Sequence, residues 1–434
     1  MRILVLSNFY PPYTFGGQEQ SCQKVVEGLK QRGHQTVVLT SLYGVNSPIE
    51  APVDVHRALH LETDLVAWRQ SIHFFTKTRS NEKHNLQVLR NMIKEFDPDI
   101  VFIWGMWNIS RSVPALAEAM CPGKVVYRFS DYWPTLPSQK ESYWRNPGRT
   151  WFSRLPKMLL GTFALAILSR SGPPPSLHFE NVIFVSSATK EKLAEAGISV
   201  SQSSIIHTGI NIDPYLKRDT YRQPHSSGMN LLYAGRLLPE KGVDTAIQAI
   251  SELVKKTGIT NIRLNIAGTN PAGYEEGLRN HVLKEGLKQY ISFLGSVPNE
   301  EMPALLRKND VLLLPSLWPE PFARIVLEGM ISGLVVVATP CGGTTEIVQD
   351  EKNGLLFTPG DARDLAQKVS LLINNPATFK SLAEAGQKTV KEYFSFPTMM
   401  DQIENFLTEA ARSPRSREDA FCRRFSDNPA LEPL

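Results

Sequence analysis

The sequence predicts an α/β protein built from two doubly wound parallel-sheet units, and three observations carry that prediction. Short apolar runs such as Ile3–Leu6, Thr36–Thr40, Asn230–Ala234 and Val311–Leu314 read as buried strands, and stretches of helical spacing separate them. Loops bearing Gly or Pro follow the carboxyl ends of these runs, where open parallel sheets bind their ligands. The alternation lapses over residues 214–229, which carry Pro, Ser and Arg without periodicity, and then restarts. That lapse reads as a linker between two halves, 1–213 and 230–394.

With 434 residues, 42% of them hydrophobic, the chain is long enough to bury two or three cores. A net charge of +4, with Lys and Arg scattered, argues against a nucleic-acid partner. Cys22, Cys121, Cys341 and Cys422 lie far apart without a C-x-x-C pair. Neither a disulfide framework nor a zinc site is predicted, and a reducing cytoplasm is the expected location. Met1–Ser7 is expected to be a first strand rather than a signal peptide, and the apolar runs are too short for a transmembrane helix. Two readings stay open for residues 149–170. An apolar run from Met158 to Leu168, flanked by Arg149, Arg154, Lys157 and Arg170, suits either a packed helix or a peripheral contact with the inner face of a membrane.

In the first half, Ile3–Leu6 opens into a loop, Asn8–Gly17, rich in Pro, Tyr and Gly. Gln18–Arg32 has helical spacing through Val25, Val26 and Leu29 and stops at Gly33. The G-x-G-x-x-G fingerprint of nicotinamide binding is absent from this βαβ unit, which removes the dehydrogenase reading. Gly16 and Gly17 serve either as turn and cap, or as a close backbone approach that offers N–H groups to an anion. Residues 41–95 carry two or three helical stretches and no motif. Pro98–Trp104, Lys124–Phe129 and Val182–Ser186 read as further strands, and Asp131 stands just past the second of them.

In the second half, Asn230–Ala234 leads into Gly235–Gly242, where Arg236 and Lys241 flank the loop. A guanidinium fork and an ammonium point charge together suit a diphosphate. Arg263–Ala267, Ile291–Leu294, Val311–Leu314, Leu334–Ala338 and Gly354–Phe357 are the remaining strands. After Val311–Leu314 the chain breaks at Pro315, and from Phe322 onward Ile325, Val326, Gly329 and Met330 keep helical spacing. Glu320 therefore falls in the loop and Glu328 two turns into the helix. Free N–H groups near Ala323 and Arg324 would suit a phosphate. Glu328 lies among apolar neighbours, where an unpaired carboxylate is costly.

These motifs together resemble the retaining glycosyltransferases of family 4, which have the GT-B fold. Glu320 and Glu328 match E-P-F-A-R-x-x-x-E, Gly235–Gly242 matches G-R-x-x-x-x-K-G, and Gly342, Gly343 and Glu346 match G-G-x-x-E. Gly16, Gly17 and Glu19 match G-G-x-E, and Ile205–Pro214 is similar to the turn that closes the first domain. The resemblance covers residues 1 to about 411. It implies two Rossmann-like domains facing each other across a cleft: an acceptor-side domain, 1–213, and a nucleotide-sugar domain, 230–394. A helix over 395–411 would cross back onto the first, leaving 412–434 as a disordered tail.

The implied activity moves a sugar, with retention, from a UDP- or GDP-linked donor to a saccharide or lipid-linked saccharide acceptor in glycan or cell-surface polysaccharide synthesis. No metal or other cofactor is implied. Gly235, Arg236, Lys241 and the helix start at Phe322, Ala323 and Arg324 would hold the diphosphate. Glu320 would hold donor-sugar hydroxyls, Glu328 the ribose, and Gly16–Gly17 the donor phosphate or acceptor. Asp131 is a further catalytic candidate, surviving from the family's H-D segment, in which Ser130 replaces histidine. Trp104–Asn108 also lacks the histidine usual there. Tyr10, Tyr13, Phe15, Trp104, Trp107, Tyr132 and Trp133 suit stacking on sugar rings or plain packing. Two alternatives remain. An epimerase of the same fold would need acid–base residues, for which Asp131 is the candidate, and a catalytically silent nucleotide-sugar-binding partner would keep the fold without turnover.

Overall fold

The structure is a computed structural model, described here over residues 1–14, 16–45, 53–65, 67–146, 151–170, 172–216, 228–270 and 273–412. It divides into two compact units. The first comprises Met1–Val185, Lys190–Ile206 and the chain from Met400; the second comprises Ser186–Thr189 and His207–Met399.

Elements of the first unit run β1 (Arg2–Leu6), α1 (Gly17–Gln31), β2 (Gln35–Ser41), β3 (Val55–Leu59), α2 (Ala67–Thr76), α3 (Thr78–Phe96), β4 (Ile100–Ile103) and α4 (Ser112–Met120). They continue through β5 (Val125–Phe129), α5 (Gln139–Arg145), α6 (Trp151–Arg170), β6 (Asn181–Phe184), α7 (Ser187–Glu195, its residues up to Thr189 grouped with the second unit) and β7 (Gln202–Ile205). The seven strands are all parallel, in the order β3-β2-β1-β4-β5-β6-β7.

In the second unit, β8 (Met229–Ala234), α8 (Val243–Lys256), β9 (Ile262–Ala267), α9 (Tyr274–Lys284), β10 (Ile291–Gly295) and α10 (Met302–Arg307) come first. Then follow β11 (Val311–Leu314), α11 (Arg324–Ile331), β12 (Val335–Ala338), β13 (Leu355–Leu356), α12 (Ala362–Asn374) and α13 (Pro376–Tyr393). Here six parallel strands are ordered β10-β9-β8-β11-β12-β13. Helix α14 (Phe396–Arg412) ends the described chain. Its Asp401 and Glu404 pair with Arg32, and Glu404 also with His34, all within the first unit.

The central strands have continuous apolar runs because both faces of the sheet are covered. In the second unit Leu231, Tyr233, Leu313 and Val337 enter one core, while Leu232, Leu314, Val336 and Ala338 enter the other. Two strands escaped the sequence reading, β3 and β7, and both are sheet edges. An edge strand pairs on one side and is half covered, so sequences such as VHRAL and QSSI lack an apolar run. The expected last helix, 395–411, is α14, which runs one residue later at each end. Most of the expected linker (217–227) and all of the expected tail after Arg412 lie outside the described residues.

In both sheets the strand order reverses direction once, between β1 and β4 and between β8 and β11. Connections leave these neighbours in opposite directions, so a crevice opens at their carboxyl ends. The candidate residues gather at these two places.

Candidate active site

In the second unit, the crevice is shaped by glycines that let loops press together. Gly242, at φ +69°, sits where a Cβ would come within 1.8 Å of the Pro315 carbonyl oxygen. The loop after β8 thus lies against the loop after β11, and Leu317 and Trp318 donate their N–H groups to the Glu240 carbonyl at 2.8 and 3.1 Å. This contact delivers the Lys241 ammonium to the Glu320 carboxylate at 2.6 Å, with both side chains largely buried. Ser316 Oγ donates to the same carboxylate oxygen at 2.8 Å.

Behind Glu320 stands the Gly342–Gly343 step. Gly343 donates to the Glu320 carbonyl at 2.7 Å, and a Cβ on Gly342 would come within 2.3 Å of that oxygen. Two motifs far apart in sequence therefore act as one support, with the glycines fixing the backbone from which Glu320 projects. Arg236 is held differently. The Tyr233 hydroxyl donates to its carbonyl at 2.8 Å, while its exposed guanidinium has no hydrogen-bond or ion-pair partner among the described residues. Gly235 keeps its place because Gly268 leaves room for the Gly235 carbonyl, 1.8 Å from where a Cβ would stand.

Helix α11 begins after Ala323 without a side-chain cap. The Phe322 ring stacks on His207, 5.2 Å between centroids, and contacts Phe394, so its side chain packs while its backbone borders the crevice. Arg324 donates Nε and Nη2 to Glu328 Oε1 at 3.0 and 2.8 Å. Tyr215 lies near enough to feel this carboxylate: burial first, then the Glu328 charge, pushes its hydroxyl pKa up. The buried carboxylate is thus compensated from within its own unit, one turn back along the helix. Glu346 accepts from His207 Nε2 at 2.9 Å and from the Ser187 and Ala188 N–H groups. Burial alone would raise its pKa, yet these bonds outweigh burial and leave it below the ordinary carboxylate range. Its bonds make it a strut for those segments.

The corresponding crevice of the first unit has other chemistry. Glu19 accepts the Gly16 N–H at 3.0 Å, so a carboxylate already occupies the start of α1. Gln18 bridges two loops when its amide is oriented to satisfy both neighbours. Nε2 then donates to Asp131 Oδ2 at 3.2 Å, and Oε1 accepts from the Gly105 N–H at 3.0 Å. Asp131 also accepts from the Trp133 N–H at 3.1 Å. Desolvation, with some help from the Glu19 charge, pushes the Asp131 pKa up to about 6. Of the seven aromatics, Tyr10, Trp104, Tyr132 and Trp133 are buried in the packing, Tyr13 and Trp107 are half-buried, and Phe15 lies outside the described residues. Arg128 is fully buried with its guanidinium 5.3 Å from the Trp104 ring, and burial lowers its pKa to about 10.

Sequence comparison decides between the families compatible with this geometry. Residues 15–214 match the profile described as Glycosyltransferase Family 4, and residues 221–389 match that of Glycosyl transferases group 1. The chain belongs to the group 1 glycosyltransferases. Its relatives in this family include a glycogen synthase of Mycobacterium tuberculosis, 25% identical over 434 residues and 96% of each chain. A D-inositol 3-phosphate glycosyltransferase of Corynebacterium efficiens is 28% identical over 51% of this chain and 55% of that one. A Rickettsia africae glycosyltransferase superposes with a TM-score of 0.69 at 19% identity, covering 95% of this chain and 99% of that one. Anabaena HepE, solved with UDP, gives 0.67 at 21% identity over 94% and 100%. The fold is therefore GT-B.

Within this glycosyltransferase the structure brings Gly235, Arg236, Lys241, Glu320 and the start of α11 to one crevice, with Glu328 buried one helical step behind. Gly16, Gly17 and Asp131 belong to the other unit. Sequence reasoning passed over Ser316, Tyr233, Tyr215 and the Arg324–Glu328 pair. The pair had a readable signal, opposite charges at i and i+4 on one helix. Ser316 and Tyr233 had none, since each acts through the loop conformation that brings it to its partner.

Proposed function

We propose that the chain transfers a sugar, with retention of anomeric configuration, from a nucleotide-diphosphate sugar to a saccharide or lipid-linked saccharide acceptor. The observation that carries this reading is the arrangement of Arg236, Lys241 and Glu320 at one strand-end crevice. As the bond from the anomeric carbon to the diphosphate oxygen breaks, negative charge collects on the leaving diphosphate. Arg236, Lys241 and the N–H groups opening α11 meet that charge. Glu320, held by Lys241 and Ser316, accepts hydroxyls of the donor ring, and Glu328 accepts ribose hydroxyls. The departing phosphate oxygen takes the proton of the acceptor hydroxyl, so the bond made to the anomeric carbon and the bond lost to phosphate share one face. Charge compensation in this scheme comes from side chains, with no resident metal. Gly16, Gly17 and Asp131 are assigned to the acceptor, because the Gly16 N–H is already bonded to a carboxylate, which disfavours phosphate there. The setting we propose is glycan or surface-polysaccharide synthesis in the cytoplasm.

The test is release of UDP or GDP from a panel of UDP- and GDP-sugars, in the presence of EDTA, by the wild type, Arg236→Ala and Glu320→Ala. UDP-glucose heads the panel, since HepE has also been solved with it. Turnover of one donor, lost in both variants, is the expected result. A wild type that binds a donor and never releases nucleotide, even with acceptor extracts, would replace the transferase with a binding partner.

A further inference from the structure

Helix α6 contains no Asp or Glu and is apolar on more than one side. Its Gly161–Ala164 face is buried, and a Cβ on Gly161 would approach the Trp144 carbonyl of α5 at 3.3 Å. The opposite face has no such cover: Leu155, Met158, Leu159, Leu160 and Phe163 are 45–64% exposed. Leu155, Leu159 and Phe163 recur every fourth residue, which aligns them in one stripe. The stripe extends onto α2, where Phe75 stacks on Phe163 with centroids 6.0 Å apart, and where Phe75 and Ile72 are themselves exposed. Contiguous apolar surface of this kind marks a partner. Among the described residues no helix is long and apolar enough to cross a membrane.

Charge identifies the partner. Along one flank of the stripe, Arg145, Arg154 and Lys157 line an open pocket of about 560 Å3 between α5 and α6, and among the described residues its lining contains no carboxylate. Arg145 is bonded to Glu141, and Lys157 Nζ lies 4.1 Å from the Tyr143 ring centroid. Arg154 is exposed and has no partner among the described residues. We propose that this face docks on an anionic phospholipid bilayer, with Leu155, Leu159 and Phe163 entering the boundary between headgroups and acyl chains, and Arg145, Arg154 and Lys157 meeting lipid phosphates. An apolar stripe flanked by cations on a helix that lies in the interface plane is the physical form of such a contact. A second copy of this chain fits less well, since a two-fold contact would set the same cations against each other.

The experiment is co-sedimentation of the full chain with phosphatidylcholine vesicles made with and without phosphatidylglycerol. The wild type is expected to bind the anionic vesicles at least about tenfold more tightly, with affinity falling as salt is added. The double variant Leu159→Glu/Phe163→Glu should weaken binding by about tenfold or more, and Arg154→Ser should flatten the salt dependence. Both changes are on exposed positions, and nucleotide release from the donor should stay at the wild-type rate, which reports an intact fold. Equal affinity for both vesicle types, absence of binding, or undiminished binding by the double variant would each overturn the proposal. So would a solution dimer that the double variant dissociates, in the absence of lipid binding, because the stripe would then be an interface between copies.

Discussion

The two units share a topology and differ in what they place at its reversal point. In the second, glycine-to-backbone contacts press the loops after β8, β11 and β12 together, and the side chains delivered are Arg236, Lys241 and Glu320. In the first, the loops after β1, β4 and β5 gather Gln18, Glu19 and Asp131, two carboxylates and an amide. The lesson is that a doubly wound sheet supplies a crevice and nothing more. Two cations on one strand-end loop suit an anionic leaving group, whereas carboxylates that accept N–H groups and sit near each other suit hydroxyl donors.

The strongest way to break this comparison is to remove one charge from each crevice and measure turnover. Lys241→Ala should cost about 10²–10³-fold in donor turnover, the usual effect of losing a group that stabilises charge formed in the transition state. The loss should appear with and without acceptor. Asp131→Asn should leave acceptor-independent nucleotide release near wild type and slow transfer when acceptor is supplied. Equal losses in both assays for both variants would erase the distinction between the crevices.

Backbone contacts provide a second test, independent of activity. At Gly242→Ala the new Cβ would meet the Pro315 carbonyl at 1.8 Å in a left-handed conformation. Overpacking and φ strain together predict a loss of about 2–4 kcal/mol in the local stability of the second unit. Gly33→Ala is the control in the first unit, because its φ is +86° but nothing lies within 4 Å of the added Cβ. Strain alone should cost about 1 kcal/mol there. Amide hydrogen exchange reads the two units separately: β8 and β11 should lose protection in the first variant and stay unchanged in the second. If both variants lose equally, the close approach at Gly242 is not what holds the crevice together.

How far the sequence could be read tracks how local the physics is. Central strands were legible because burial on both faces leaves a continuous apolar run, and edge strands β3 and β7 were not, because half their surface is polar. Glu320, Arg236 and Lys241 stood in recognisable loops, but nothing in those loops states that Lys241 and Glu320 bond to each other across 79 residues. Gly342 and Gly343 looked like part of a separate motif until the structure placed them under Glu320. The aromatic set reads ambiguously for a related reason. Burial is a property of the assembled core, and Tyr10, Trp104, Tyr132 and Trp133 spend their rings on it.

A smaller effect than that at Gly242 concerns Asp131, and its sign follows from linkage. Desolvation, with Glu19 adding repulsion, raises its pKa from an ordinary 3.8 to about 6 in the folded state. Below about pH 4 the carboxyl is protonated folded and unfolded alike and contributes no pH-dependent stability. Between about pH 4 and 6 the unfolded chain ionises while the folded one keeps its proton, so stability falls as pH rises; above about 6 the penalty is constant. Asp131→Asn removes that penalty. The variant should match wild type at pH 4 and gain roughly 1–2 kcal/mol by pH 7, allowing for partial exposure of the carboxyl. Thermal unfolding across this range checks the stability half. The activity half is separate: if Asp131 exchanges a proton with the acceptor hydroxyl, the transfer profile of wild type has a limb near pH 6 that the variant lacks. A stability gain that grows with pH, paired with an unchanged activity profile, would make Asp131 a half-buried acid that costs stability without serving transfer. The first unit's crevice would then have to bind acceptor through its amides and backbone alone.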